Sequence, residues 1–340
     1  MLDLLEWQKK LQPDILENLH RRFDILQFIR VSAPVGRRTI AAALQISERV
    51  LRSEVELFKE QNLLRVQSGG MDLTEEGHTL LDELAPSIQN ISGRTQLEAD
   101  LQQLLHIPRV LVTSGDSDGQ PWVKKEMSRG CVSEMIQTLS PDDVVAVAGG
   151  TTLAALAESV TPHPNLQQVT FVPARGGLGE NVDLQANTIC AALARSAKAQ
   201  YRLLHVPDQL SDHAYESLTQ EPGIQELLSL IRSPRMVVHS VGDAHTMATR
   251  RNAVEEKLDR LKNLNAVAES FGYYFDENGT VVQKENTVGL QLDDLGEGQK
   301  VVTIAGGASK AEAIIAYMTY RPSDLLITDE GAAEAIKARL

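Results

Sequence analysis

Val144-Val145-Ala146-Val147-Ala148-Gly149-Gly150-Thr151-Thr152 runs from a β-branched stretch through a diglycine and two hydroxyls into an Ala-rich helical pattern. Val301-Val302-Thr303-Ile304-Ala305-Gly306-Gly307-Ala308-Ser309-Lys310 repeats that order near the other end of the chain. Each stretch reads as a buried strand that turns through glycines into a helix. A turn of this kind leaves backbone N–H groups unpaired at the helix N-terminus, where the helix dipole favours an anion. Two of them predict two phosphates, or one phosphorylated ligand gripped at both ends. Gly-rich strand-to-helix turns also occur in doubly wound domains as a purely structural device.

The surrounding pattern sets the fold class. Strands are predicted at 110–113, 144–148, 169–173, 202–206, 236–241, 301–305 and 325–328, alternating with helical patterns. Most are short continuous apolar runs, as parallel strands covered on both faces are. The reading is an α/β, doubly wound, Rossmann-like domain over residues 107–340, with ligands held outside the carboxyl ends of its strands. An antiparallel interruption is expected at 272–275 and 280–282, joined by Asp276-Glu277-Asn278-Gly279.

Charged and polar residues cluster where the crevice of such a domain falls. Arg175 stands in Pro173-Ala174-Arg175-Gly176-Gly177-Leu178-Gly179, Gln185 and Asn187 open the next helix, and Arg250 and Arg251 follow Val241-Gly242-Asp243-Ala244. A guanidinium after a strand can fork onto a phosphate, or form a surface ion pair. Lys310 occupies the first turn of its helix, where a cation is unfavourable unless an anion is also present.

Length and composition bound the rest. A chain of 340 residues with 42% hydrophobic residues accommodates two or three globular domains. No run approaches the roughly 18 apolar residues of a membrane span, and Met1-Leu2-Asp3-Leu4-Leu5-Glu6 carries acids where a signal peptide carries bases. A cytoplasmic protein with no membrane partner is expected. Cys131 and Cys190 lie in apolar helical patterns and read as buried thiols, and no metal site is expected. The net charge of −13 is unevenly spread, with +2 over residues 1–70 and −15 over residues 71–340. An acidic body therefore carries a head with local basic clusters.

That head, residues 1–86, reads as a winged helix-turn-helix. Ile15, Leu16, Leu19, Phe23, Leu26 and Ile29 recur at helical spacing until Ala33-Pro34-Val35-Gly36. A short second helix carries Ile40, Ala41 and Leu44, and Ser47 caps a third that runs from residue 48 to about 62. Its stripe of Leu51, Val55 and Phe58 turns Arg49, Arg52, Ser53 and Glu56 outward. Residues 63–67 and 71–74 form a hairpin wing, and a further helix is expected to end at Pro86. Arg37, Arg38, Ser47, Arg49, Arg52 and Ser53 are the expected contacts to double-stranded DNA, with Arg65 near the wing. Residues 87–106 read as a linker with a helix in its second half, which packs on its own body or pairs protomers. A homo-oligomer, dimer or tetramer, suits a palindromic operator.

Catalytic machinery is hard to find. Glu269, Asp116 and Asp243 are candidate bases, yet none forms a recognisable pair, and His205 and His239 fall within strand patterns as core residues. There is no Gly-x-Gly-x-x-Gly fingerprint, full Walker sequence or Ser nucleophile motif. A sensor with no catalytic residue and no cofactor is the favoured reading, with Glu269 accepting from sugar hydroxyls. The alternatives are a sugar-phosphate isomerase carrying a DNA-binding head and a protein-interaction module.

The order of winged helix-turn-helix, linker helix and effector domain resembles the SorC/DeoR-type sugar-responsive transcriptional regulators. The resemblance is carried by Ile46-Ser47-Glu48-Arg49-Val50-Leu51-Arg52, Ser114-Gly115-Asp116-Ser117-Asp118, Ala148-Gly149-Gly150-Thr151-Thr152, Pro173-Ala174-Arg175-Gly176-Gly177, Gln185-Ala186-Asn187-Thr188, Phe271-Gly272-Tyr273-Tyr274-Phe275 and Ala305-Gly306-Gly307-Ala308-Ser309-Lys310, and it covers essentially the whole chain. It implies a repressor of glycolytic genes whose effector domain, related in fold to phosphosugar isomerases, binds fructose 1,6-bisphosphate. By the same implication Gly149, Gly150, Thr151 and Thr152 hold one phosphate and Arg175 and Lys310 supply cations. Gln185, Arg250, Arg251 and Glu269 then contact the remainder of the ligand. Ala308 departs from the pattern where a hydroxyl residue would also suit.

Overall fold

The structure, a computed structural model, describes residues 13–176, 181–207, 212–296 and 298–340. The acidic N-terminal residues 1–6 and the glycines Gly177 and Gly179 after Arg175 lie outside the described residues. The chain divides into two compact units between Gln96 and Leu97.

The first unit runs α1 (Pro13–Ser32), α2 (Arg37–Ala43), α3 (Glu48–Glu60), β1 (Leu64–Gln67), β2 (Gly70–Leu73) and α4 (Glu75–Ile91). The two strands pair antiparallel from Leu64↔Leu73 to Gln67↔Gly70, which leaves Ser68 and Gly69 as the turn of the wing. Ser47 caps α3 by accepting from the Val50 N–H at 3.3 Å, and Thr74 caps α4 by accepting from the Gly77 N–H at 3.0 Å. Leu51, Val55 and Phe58 of α3 are buried as their spacing requires. Glu54 is buried beside them, accepting from Arg21 at 2.9 Å and Arg22 at 2.7 Å. A carboxylate turned inward is costly unless paired, so this contact fixes α3 against α1. Apolar periodicity passes over such a residue.

The last helix of this unit does not stop at Pro86 but continues to Ile91. Pro86 lies on the exposed side, where a carbonyl deprived of its donor can be hydrated, and buried Ile88 anchors the extra turn. After it comes α5 (Arg94–Leu104), which the division between units cuts in its first turn. Leu101 and Leu105 join the core of the second unit, and Glu98 accepts from the Val112 N–H at 2.8 Å. The second half of the expected linker is therefore packed on its own body.

The second unit continues with β3 (Val110–Thr113), α6 (Val123–Thr138), β4 (Val144–Val147), α7 (Thr151–Ser159), α8 (Pro164–Gln167), β5 (Thr170–Pro173), α9 (Ala186–Ala197) and β6 (Gln200–Tyr201). Then come α10 (Asp212–Thr219), α11 (Pro222–Arg232), β7 (Met236–His239), β8 (Gly242–Asp243), α12 (Ala244–Arg250), α13 (Glu255–Asn263), β9 (Ala266–Ser270), β10 (Tyr273–Asp276) and β11 (Val281–Lys284). The chain ends with β12 (Lys300–Ile304), α14 (Ala311–Tyr320), β13 (Leu325–Asp329) and α15 (Glu330–Arg339).

Seven strands form one parallel sheet in the order β3-β13-β12-β7-β4-β5-β6. Alternation along each strand feeds two cores. Val145 and Val147 face Met127, Cys131, Leu153, Leu156, Ile189 and Leu193 of α6, α7 and α9. Ala146 faces the other way, into the core with Leu227 and Ile231 of α11, Ile314 and Tyr317 of α14 and Ile336 of α15. The doubly wound expectation holds. Two details differ. The strand expected at 202–206 is only Gln200–Tyr201, because the chain then leaves the sheet edge, and His205 is exposed rather than in the core. The hairpin around Asp276–Gly279 belongs to a separate antiparallel sheet, β11-β10-β9-β8, whose Phe271, Tyr273 and Phe275 pack on the main core.

Successive strands run outward from β4 to β5 and β6 on one side, and from β7 to β12 and β13 on the other. The reversal lies between β4 and β7, where a crevice opens at the carboxyl ends. The first diglycine follows β4, the second follows β12, and β7 alone stands between those strands. At about 4.8 Å per strand, the two turns are roughly 10 Å apart along the sheet edge.

Candidate functional site

The first turn is shaped as an anion seat. A Cβ on Gly149 would lie 2.6 Å from the Leu184 carbonyl oxygen, and Gly150 has φ +115 and donates its N–H to that carbonyl at 2.9 Å. Only glycine meets both demands. Gly150 is the N-cap of α7 and offers no side-chain cap, so the N–H groups of Thr151, Thr152 and Leu153 have no acceptor among the described residues. Gln185, next to Leu184, is the N-cap of α9 and stands beside the same turn. Asn187 does structural work instead, exchanging hydrogen bonds with the Leu204 backbone at 2.9 and 3.1 Å.

One strand away, Arg175 leaves the end of β5 and is held by its backbone, which bridges Gly289. Gly289 has φ +142 and a Cβ there would meet the Ala174 carbonyl oxygen at 2.4 Å. Glu269 on β9 receives Arg251 at 2.5 Å, the Gly272 N–H at 2.7 Å and the Arg175 guanidinium at 3.6 Å. All three side chains are buried, with exposures of 7% for Arg175, 4% for Glu269 and 3% for Arg251. Burial works to raise the Glu269 pKa, but the charges of Arg251 and then Arg175 outweigh it and hold the carboxyl below its usual range. Arg251 also donates to the Tyr274 hydroxyl at 3.2 Å. The Glu269 carboxylate orients two guanidiniums.

The second turn differs from the first in one decisive respect. Gly307, at φ +99, donates to the fully buried Asp329 at 2.8 Å, the Ser309 N–H donates to Asp118 at 2.8 Å, and the Ser309 hydroxyl donates to Asp118 at 3.0 Å. The Ala308 N–H reaches Asp116 at 3.4 Å. The donors expected to be unpaired there are met by carboxylates of the chain itself. Lys310 follows as the N-cap of α14, half-buried and without an ion pair among the described residues. Burial first, then the charges of Lys124 and Arg250, push its pKa down to about 8 against the pull of Asp118 and Asp329. Arg250, exposed at the end of α12, and Lys124, in the first turn of α6, therefore stand near Lys310. Lys124 escapes a reading based on diglycines, although it is a cation in a helix's first turn, the misfit that singles out Lys310.

The remaining candidate bases are occupied. Asp243 caps α12 by accepting from the Thr246 N–H at 2.7 Å, and Asp116 accepts from the Asp118 N–H at 2.9 Å. His239 is fully buried between Ser270 at 3.1 Å and Thr303 at 2.8 Å, and burial pushes its pKa down to about 3, so it stays neutral.

In the first unit, Arg37, Arg38, Ser47, Arg49, Arg52 and Ser53 are all exposed, the last three along α3. Glu56 lies near Lys59, Arg37 and Arg52, whose hydrogen bond and charges lower its pKa, Lys59 foremost. α3 thus presents Arg49, Arg52 and Ser53 to solvent, with Arg37 acting on the same Glu56.

The comparisons match both units. Residues 19–88 match the CggR N-terminal DNA binding domain family, and residues 89–337 match a family described as a sugar-binding domain. The chain is 52% identical over 337 residues to the central glycolytic genes regulator of Priestia megaterium, covering 99% of this chain and 98% of that protein. It is 50% identical over 336 residues to the regulator of the same name in Bacillus subtilis, covering 99% of each. A crystal structure assigned to the SorC family of transcriptional regulators, from Enterococcus faecalis, aligns with a TM-score of 0.67 at 46% identity, covering 71% of this chain and 99% of that one. The full-length sorbitol operon regulator SorC of Klebsiella pneumoniae shares the fold, with a TM-score of 0.64 at 18% identity, covering 94% of this chain and 99% of that one. A DNA-binding domain, a sugar-binding domain and relatives at 50–52% identity that are named as regulators describe a regulator and not an enzyme. The chain belongs to the central glycolytic genes regulator family of SorC-type transcriptional regulators.

Proposed function

We propose that this protein represses glycolytic genes by binding operator DNA in the cytoplasm as a homo-oligomer, and that fructose 1,6-bisphosphate relieves the repression. The observation that carries the effector reading is the pair of anion-binding corners separated by one strand. The open N-terminus of α7 lies beside Arg175, and Lys310 with Lys124 and Arg250 lies roughly 10 Å along the sheet edge. A sugar with phosphate at each end spans that gap, and a monophosphate fills only one corner. The family and the name of its close relatives support the glycolytic target.

The effector must bind the two states of the protein unequally to act at all, and a coupling of about 1–3 kcal/mol changes operator affinity roughly 5–150-fold. Titrating fructose 1,6-bisphosphate into the protein–operator complex tests this by fluorescence anisotropy; no change in operator affinity and no change in assembly state sinks the effector reading. On the DNA side, Arg49→Ala with Arg52→Ala is expected to weaken operator binding by about 1–3 kcal/mol for each base-edge hydrogen-bonded pair removed, with effector binding unaffected.

Lys310 gives the effector a pH signature. With its pKa about 8 in the free protein, it loses charge as pH rises through 8, and an anion beside it favours the charged form. Binding at pH 8.5 is therefore expected to take up protons, and affinity should fall from pH 7.5 to 9. Calorimetry in two buffers of different ionisation enthalpy measures the uptake; zero uptake would place the ligand away from Lys310.

A further inference from the structure

The carboxylate of Asp118 occupies the donors that a second phosphate needs. It takes the Ser309 N–H at 2.8 Å and the Ser309 hydroxyl at 3.0 Å, next to Lys310, which has no ion pair of its own among the described residues. Resting on the effector reading above, we propose that Asp118 is an internal competitor for the second corner that only a bisphosphorylated sugar displaces, so that occupancy of that corner releases the exposed tip Asp118–Gly119.

Asp329 and Asp118, two of the carboxylates at this turn, differ in how firmly they are held. Asp329 is fully buried and accepts from three backbone donors, the Gly307, Ser117 and Ala332 N–H groups, at 2.8, 2.9 and 2.9 Å. It caps α15 and belongs to the scaffold. Asp118 is exposed, as are Ala308 and Ser309, and its contact with Ser309 ties the turn after β3 to the turn after β12. A phosphate cannot share these donors with it. The hydroxyl has one proton to give, and like charges at that distance repel. The cations nearby do not have this conflict. The charges of Lys124 and Arg250 act on Lys310, and the tip of the Met127 side chain, one turn along α6 from Lys124, lies 2.9 Å from where a Cβ on Gly306 would stand, so α6 adjoins the second diglycine. An anion entering there gains these three charges and must evict one carboxylate.

A ligand with phosphate only at the first corner leaves Asp118 in place. The competitor therefore lowers the affinity for the bisphosphate, and the difference between the two sugars lies in the response, because only the bisphosphate moves Asp118. The apparent affinity of a site blocked for most of the time is reduced by the unblocked fraction, so removing the blocker raises it.

The test uses the full chain at pH 7.5 and fixed salt, with calorimetric titration of fructose 1,6-bisphosphate and, separately, fructose 6-phosphate. Asp118→Asn and Asp118→Ser are expected to bind the bisphosphate roughly ten-fold more tightly than wild type. Their monophosphate binding should match wild type within about two-fold. In the wild type, the amides of residues 114–119 should exchange faster with solvent when the bisphosphate is bound and unchanged with the monophosphate. An unchanged or weaker bisphosphate affinity in both variants overturns the inference while leaving the effector reading intact, and so does an equal gain for both sugars. Failure of wild type and both variants to bind the bisphosphate overturns the effector reading itself. A variant with a lowered melting temperature is replaced by the wild-type exchange measurement, where slower exchange at 114–119 on bisphosphate binding counts against the proposal.

Discussion

Glu269→Ala is expected to cost the C-terminal unit about 3–5 kcal/mol, because it removes the buried carboxylate that Arg251 and Arg175 face. The guanidiniums are 7% and 3% exposed and cannot reach water without moving the β5 and α12 ends that carry them. The Gly272 N–H loses its acceptor in the same step. Glu269→Gln keeps an acceptor oxygen for Arg251 and Gly272 but not the charge, and is expected to lose roughly half as much by the same reasoning. Denaturant unfolding of the full chain, followed in the C-terminal unit, measures both. A loss below about 1 kcal/mol for the alanine variant would show that the arginines have another partner in solution. Adding an anionic effector should recover part of the loss by mass action, since it supplies the missing negative charge to Arg175.

Arg175→Ala is expected to abolish the response to fructose 1,6-bisphosphate while operator binding by the free protein persists. A charge-assisted hydrogen bond is worth about 1.5–3 kcal/mol, so losing one costs roughly 10–150-fold in effector affinity. The fold should tolerate this change better than the loss of Glu269, because Glu269 keeps Arg251 at 2.5 Å and Gly272 at 2.7 Å. Arg175→Lys should not rescue the response. Lysine offers a point charge where a planar fork is set by the backbone bridge to Gly289. Operator titrations with and without effector separate the two roles; loss of operator binding in the free Arg175→Ala protein would mark the residue as structural.

Much of this architecture is legible in the sequence because it follows from local periodicity. Short apolar runs between helical patterns give the parallel sheet, and outward-facing Arg49, Arg52 and Ser53 follow from the stripe of Leu51, Val55 and Phe58. The carboxyl-edge location of the diglycines, Arg175 and Lys310 follows from strand-then-turn order alone. What the sequence withholds is long-range pairing of charges. Nothing local tells that Glu54 faces Arg21 and Arg22, or that Glu269 serves two arginines from different elements. The two diglycines look alike in sequence and differ in the fold, because Asp329 and Asp118 stand 22 and 191 residues away along the chain from the donors they fill. The strand misplaced at 202–206 fails for a related reason, since the edge strand pairs only as far as Phe171↔Tyr201 and leaves the sheet while β5 continues to Pro173, which periodicity does not encode.

The two cysteines of the chain, Cys131 and Cys190, lie fully covered in the core formed by α6, α7 and α9, and burial pushes both thiols far above their usual range. The protein is therefore silent towards thiol-directed dyes and spin labels in its folded state. A reporter attached through Arg52→Cys or Ser53→Cys would sit on an otherwise unreactive background, so the motion of the reading helix can be followed spectroscopically without first removing a native residue.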